Sequence, residues 1–252
     1  MSNYSGHLVK IKISPVTMEL PMSVDKQKMQ AAEEASKLIH DGMTVGLGTG
    51  STVAHLLAIL QGKLRELRNV RWVATSEDTA RKCAEMGIST DSDLETPLDL
   101  DIDGADEADL EGNLIKGGGG ALLREKIVAR NSRNVIIIVD SGKLKKDGIG
   151  DFGIPVAISP HLMTLTLRNL EELGGKCTLR GNGNYRTDDG NAIADCHFGK
   201  VKHPELLEAR IKLIPGVVEV GIFHNLCDML IVGVDSGTEK YQFKRRGPSF
   251  LK

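Results

Sequence analysis

The sequence predicts an α/β fold: an open, mostly parallel sheet domain followed by a smaller α+β domain. Three observations carry this. Apolar strand patterns alternate with helical patterns from residue 24 to 152. After Gly153-Ile154-Pro155 the pattern changes to short strands with turn signals and two helices. The chain has 252 residues, 40% of them hydrophobic, which at about 150 residues per domain builds one large core or two modest ones.

The elements follow in order. Ser23 can cap a helix over about Asp25–Ile39, with Met29, Ala32, Ala35 and Ile39 on one face, and Asp41-Gly42 ends it. Thr44–Leu47 is a short apolar strand. Ser51 to about Leu67 is helical, with Val53, Leu56, Leu57 and Leu60 facing inward. Val70–Thr75 is a strand carrying Trp72 into the core, and Ser76 can cap a helix to Met86. Leu98–Ile102 is a strand that opens into acidic residues. A helix over Ala121–Ala129 precedes Val135–Val139, the most apolar strand. Beyond residue 153, a helix over Pro160–Leu173 stops at Gly174-Gly175. Strands near Cys177–Arg180 and Ala192–His197 flank the turn signal Asp189-Gly190. Helix Pro204–Leu213 is followed by strands Val217–Phe223 and Met229–Val234. Residues 24–152 with 229–243 are expected to form the sheet domain, 153–228 the small domain, and 1–23 an N-terminal extension.

Composition excludes several classes. The formal net charge is −2, from 32 basic and 34 acidic residues, which argues against general nucleic-acid binding. No apolar run approaches the roughly 20 residues of a bilayer span, so no membrane partner is expected. Cys83, Cys177, Cys196 and Cys227 are widely spaced, and four free thiols suit a reducing cytosol. His161, His197, His203 and His224 show no metal-ligand spacing. The basic Lys244-Arg245-Arg246 reads as a solvated tail.

Three loops carry the chemistry, each after a predicted strand, where ligands of open α/β sheets bind. Gly46-Leu47-Gly48-Thr49-Gly50-Ser51-Thr52 runs into a helix, so its amides, hydroxyls and helix N-terminus suit a phosphate. It matches neither GxGxxG nor the Walker A loop. Asp101-Ile102-Asp103-Gly104-Ala105-Asp106-Glu107 crowds carboxylates at a strand end, which suits acid–base work or a metal. Lys116-Gly117-Gly118-Gly119-Gly120 exposes amide donors behind a cation, and Glu125 follows in the next helix.

In this order, GLGTGST, DGADEAD and KGGGGALLREK resemble ribose-5-phosphate isomerases of the A type. The resemblance continues through Asp140-Ser141-Gly142-Lys143, Thr187-Asp188-Asp189-Gly190-Asn191 and Leu213-Ile214-Pro215-Gly216-Val217. Gly142 stands where the family usually has Ser, and Asp189 where it usually has Asn. The resemblance implies a Rossmann-like sheet domain and reversible conversion of ribose 5-phosphate to ribulose 5-phosphate in the pentose phosphate pathway. It also implies no metal or organic cofactor, a cytoplasmic location, and a homodimer or homotetramer. Catalysis then falls to Glu125 as base, with Lys116, Asp103 and Asp106. Substrate contacts fall to Thr49, Gly50, Ser51, Thr52, Asp103, Gly104, Ala105, Asp106, Lys116, Gly117, Gly118, Gly119 and Lys143. Lys28 and then Arg180 are further cationic candidates for the phosphate. Burial beside Leu122 and Leu123 raises the Glu125 pKa and Lys116 opposes it, so the expected base is ionised near neutrality. A non-catalytic sugar-phosphate sensor is the rival reading, and it has no need of Glu125 and Lys116 beside paired aspartates.

Overall fold

The computed structural model describes residues 23–244. The expected N-terminal extension up to Met22 and all but the first residue of the basic tail segment lie outside the described residues. Six α-helices and fourteen strands follow in chain order. Helix α1 (Val24–Ser36), β1 (Thr44–Leu47), α2 (Ser51–Lys63), β2 (Arg71–Ala74), α3 (Glu77–Glu85) and β3 (Leu98–Asp103) come first. Then come β4 (Glu107–Asp109), β5 (Leu114–Ile115), α4 (Leu122–Arg130), β6 (Ser132–Asp140), β7 (Leu144–Lys145) and β8 (Ile154–Ile158). Helix α5 (Met163–Glu171), β9 (Lys176–Leu179), β10 (Ala192–His197), α6 (Pro204–Lys212), β11 (Val217–Val220), β12 (Ile222–Phe223), β13 (Met229–Val234) and β14 (Gly237–Gln242) complete the fold.

The main sheet has the order β14-β13-β6-β3-β1-β2. All of its pairings are parallel except β13 with β14. From β1 the chain goes outward to β2 and then returns to β3 on the other side of β1. The strand order therefore reverses between β1 and β3, and the loops leaving those two strands open a crevice at that point. Helices α1 and α2 cover one face: Ala31, Ala32, Ala35, Leu56 and Leu60 pack with Val45, Leu47, Ile102, Ile138 and Trp72 in one buried cluster. Val135, Ile137, Val139, Leu230 and Val232 face a second cluster with Leu122 of α4 and Phe223 of β12.

A four-stranded antiparallel sheet, β11-β8-β10-β9, has its own core of Ile154, Val156, Ile158, Leu170 and Ile211. A third small sheet, β12-β5-β4-β7, draws strands from both sides of residue 153. Gly221 separates β11 from β12. A Cβ there would meet the carbonyl oxygens of Lys116 and Pro155, so only glycine lets the chain step between sheets against the Lys116 backbone.

The expected strand Val217–Phe223 is thus two strands in two sheets. The face of α1 also needs correction. Its buried stripe is Gln27, Ala31, Ala32 and Ala35, Met29 is 38% exposed, and Ile39 is buried beyond the helix end. Asp189-Gly190 makes a tight turn, with the Gly190 amide on the Thr187 carbonyl, but within a longer connection between β9 and β10. The expectation of four free thiols is overturned. Cys177 and Cys196 face each other in the β9–β10 register and form a disulfide, while Cys83 and Cys227 are buried thiols. The thiol argument for a reducing compartment goes with it. No helix of the described residues is long and apolar enough to cross a membrane.

Candidate active site

The crevice between β1 and β3 is a cleft lined chiefly by three loops, and fourteen of the sixteen expected site residues form its wall. They are Lys28, Thr49–Thr52, Gly104–Asp106, Lys116–Gly119, Glu125 and Lys143. Asp103 and Arg180 are the exceptions.

At one end sits the N-terminus of α2. Gly50 caps it at φ 115° with no side-chain hydrogen bond, and the first turn holds no acidic residue. By contrast, α1 and α3 have serine caps and acids in their first turns. The α2 terminus keeps its first amides and its positive dipole end open to an anion. Lys28 Nζ donates to Ser51 Oγ at 2.9 Å, which holds a cation there. Lys143 ends a short 3-10 turn whose cap, Asp140, accepts from the Gly142 amide at 3.1 Å. Asp140 also reaches the wall, an acidic neighbour that the sequence reading did not single out. The Thr49 hydroxyl points elsewhere. It donates to Ser76 Oγ at 2.8 Å and lies 2.9 Å from Thr75 Oγ1, so Thr49 meets the cleft through its backbone and methyl group.

At the other end lies a buried charge cluster. Lys116 Nζ is 2.9 Å from Asp103 Oδ2 and 3.4 Å from Glu125 Oε1, and it donates to the Gly104 carbonyl at 2.6 Å. These three side chains are at most 5% exposed. Asp103 Oδ1 accepts from the amides of Thr49 (3.0 Å) and Gly104 (2.7 Å). A Cβ at Gly48 would fall inside the Asp103 carboxylate, so glycine is required there. Asp103 is therefore fully engaged behind Lys116 and off the wall. Asp106 is on the wall, and its Oδ2 accepts from the Gly118 amide at 2.7 Å. Glu107 turns away, with its oxygens accepting from the amides of Gly150 and Phe152 at 2.6 and 2.8 Å.

Burial would strip the proton from Lys116, but Asp103, Glu125 and Asp101 outweigh it and hold the ammonium more firmly than in an ordinary lysine. For Glu125, burial is the largest influence. It outweighs Lys116, and with help from Asp103 and Asp106 the pKa is pushed up to about 8. The expectation of a base ionised near neutrality is corrected accordingly: burial wins over the single cation. Glu125 Oε2 is buried without a hydrogen-bond partner among the described residues, on a side chain that lines the cleft. A carboxylate so arranged can accept and return a proton.

Two features were not legible in the motifs. The Phe223 ring lies 5.5 Å from Lys116 Nζ and adds an apolar, π-rich wall to the cation. Arg180 does not line the cleft. Its guanidinium is paired with Asp195 and donates to the carbonyls of Gly117 and Gly118. Among the described residues, no three His, Cys, Asp or Glu side chains gather as a metal site.

Residues 71–237 match the family described as ribose 5-phosphate isomerase A (phosphoriboisomerase A). Among curated relatives, the ribose-5-phosphate isomerase A of Gloeobacter violaceus is 46% identical over 223 residues, covering 86% of this chain and 96% of its own. That of Thermoplasma volcanium is 42% identical over 227 residues, covering 88% and 94%. A solved D-ribose-5-phosphate isomerase in complex with phospho-erythronic acid is 36% identical, with a TM-score of 0.84, covering 88% of this chain and 100% of its own.

Proposed function

The chain belongs to the ribose 5-phosphate isomerase A family, and we infer from this that it interconverts ribose 5-phosphate and ribulose 5-phosphate with Glu125 as the proton carrier. One observation carries the assignment: a buried carboxylate with a free oxygen on the cleft wall, beside a buried ammonium.

In the aldose-to-ketose direction Glu125 takes the proton from carbon 2 of the open-chain sugar. The C–H electron pair becomes the C1=C2 double bond, and the carbonyl electrons move to oxygen 1. Lys116 and the Gly117–Gly119 amides stabilise that oxyanion, with the cation already buried and held in place before the reaction. Oxygen 1 gains a proton and the hydroxyl on carbon 2 loses one, an exchange that Asp106 can carry from the wall. Collapse to the carbon-2 carbonyl then takes the proton back from Glu125 at carbon 1. Asp103 acts through Lys116, holding it by a 2.9 Å ion pair. Phospho-erythronic acid, named with the solved relative, has a carboxylate where the enediolate oxygens would be. The phosphate falls to the α2 terminus with Ser51, Thr52, Lys28 and Lys143.

A charged sugar phosphate does not cross a bilayer unaided, so a cytoplasmic location remains part of this reading. So does a homodimer or homotetramer. The test is a coupled assay of the purified protein with ribose 5-phosphate and with ribose, each with and without chelator. Ribose 5-phosphate should turn over in both conditions and ribose should be a very poor substrate, because remote binding energy positions the reacting carbons. Comparable kcat/KM for the two sugars, or loss of activity to chelator with metal-specific recovery, overturns the reading.

A further inference from the structure

Gly117, Gly118 and Gly119 line the cleft, and their carbonyls are held by Arg180 and Tyr185 from the segment between β9 and β10. Arg180 Nη1 donates to the Gly117 and Gly118 carbonyls, both at 3.1 Å. Tyr185 donates its hydroxyl to the Gly119 carbonyl at 3.2 Å. Arg180 is itself fixed. Its Nε and Nη2 pair with the two oxygens of Asp195 at 3.0 and 2.5 Å, and the guanidinium carbon lies 5.4 Å from the Tyr185 ring centre. The loop is shaped to receive these groups. A Cβ at Gly120 would overlap the Tyr185 hydroxyl, and one at Gly118 would overlap Asp106.

A trans peptide is planar, so fixing a carbonyl fixes the N–H of the next residue on the other side. The Gly118 carbonyl shares its plane with the Gly119 amide. The Gly117 carbonyl shares its plane with the Gly118 amide that meets Asp106 at 2.7 Å. Donors aimed at developing charge work by being held in place beforehand. We propose that Arg180, seated on Asp195 and Tyr185, is a positioning residue for the isomerisation, fixing the carbonyl side of the Gly117–Gly119 loop so that the Gly119 amide meets the enediolate oxygen while the Gly118 amide holds Asp106. This rests on reading that loop as a donor to the enediolate. Lysine cannot replace the arginine, because only a planar fork spans two carbonyls and a carboxylate at once.

The experiment compares the wild type with Arg180→Lys, Tyr185→Phe and Gly119→Pro, the last of which deletes one loop amide. kcat and KM are measured for ribose 5-phosphate, with the affinity for phospho-erythronic acid alongside. Arg180→Lys should lower kcat about tenfold or more, the scale of a slight misplacement of reacting groups, with KM within about twofold. Affinity for the acid should fall by the same factor as kcat, and Tyr185→Phe should change both in the same direction by less. Should Arg180→Lys fold poorly, Tyr185→Phe supplies the same comparison. A rise in KM alone overturns the proposal by making Arg180 a phosphate ligand. Wild-type kcat in Arg180→Lys beside a crippled Gly119→Pro removes the clamp and leaves the donor loop standing. An unimpaired Gly119→Pro removes the donor loop and, with it, the clamp.

Discussion

Replacing Glu125 with Gln keeps the shape of the side chain and an oxygen for Lys116 while deleting the base. With a pKa of about 8 in the free protein, roughly a tenth of Glu125 is ionised at pH 7, so wild-type kcat/KM should rise about tenfold between pH 7 and pH 9. The variant should lose that limb, and its kcat should fall about 10²–10⁴-fold with little change in KM. It should also stop exchanging the carbon-2 hydrogen of substrate with solvent deuterium. Stability gives a second readout with a definite sign. The folded carboxyl titrates at about 8 and the unfolded one near 4.5, so between these values the folded protein holds a proton that the unfolded chain has lost. Stability therefore falls as pH rises through that window, by at most about 5 kcal/mol for the full shift. Glu125→Gln should gain on the wild type in denaturation midpoint from pH 5 to pH 9. Deuterium exchange at near wild-type rate, or a retained limb near pH 8, would refute the assignment and move the base to Asp106.

Lys116→Met leaves Asp103 and Glu125 buried without their cation, so it should cost about 3–5 kcal/mol of stability and at least about 100-fold in kcat. Urea denaturation and steady-state kinetics read both, and a kcat within tenfold of wild type places the oxyanion elsewhere. Thiol titration of the unfolded, unreduced protein should find the two thiols of Cys83 and Cys227. Four reactive thiols contradict the Cys177–Cys196 bond.

The strands of the main sheet that alternate with helices were legible because each is a short apolar or alternating run set between helical patterns. β14 was not: Gly237–Gln242 is a polar, half-exposed edge strand with no apolar signature. β8 was hidden by Pro155, which reads as a breaker. It is tolerated there because pairing with β11 begins only at Val156, leaving the Pro155 position without a ladder bond to donate on that side. β4, β5 and β7 are too short for any periodicity to register. In the site, glycine loops and acidic runs marked the right segments, but not the direction of each side chain. Asp103 and Asp106 look alike in sequence, yet one is locked behind Lys116 and the other lines the cleft. The Thr49 hydroxyl, the Phe223 ring and the Arg180 clamp depend on contacts between distant segments, which local spacing does not encode.

The two ends of the cleft differ in charge, and that difference selects the reaction. The α2 end offers an uncapped helix N-terminus with Lys28 and Lys143 around it. The opposite end buries two carboxylates, Asp103 and Glu125, around one ammonium, with a third, Asp106, on the wall beside them. A dianionic phosphate is repelled from the second end and attracted to the first, so an open-chain sugar phosphate enters with its carbonyl toward Glu125. Burial is the largest cause of the raised Glu125 pKa, and the same excess of negative charge that repels the phosphate adds to it. Orientation of the substrate and basicity of the proposed proton carrier thus share one contribution. A carboxylate removed from that cluster should weaken both together, whereas a change at Lys28 should alter KM and leave the pH limb near 8 in place.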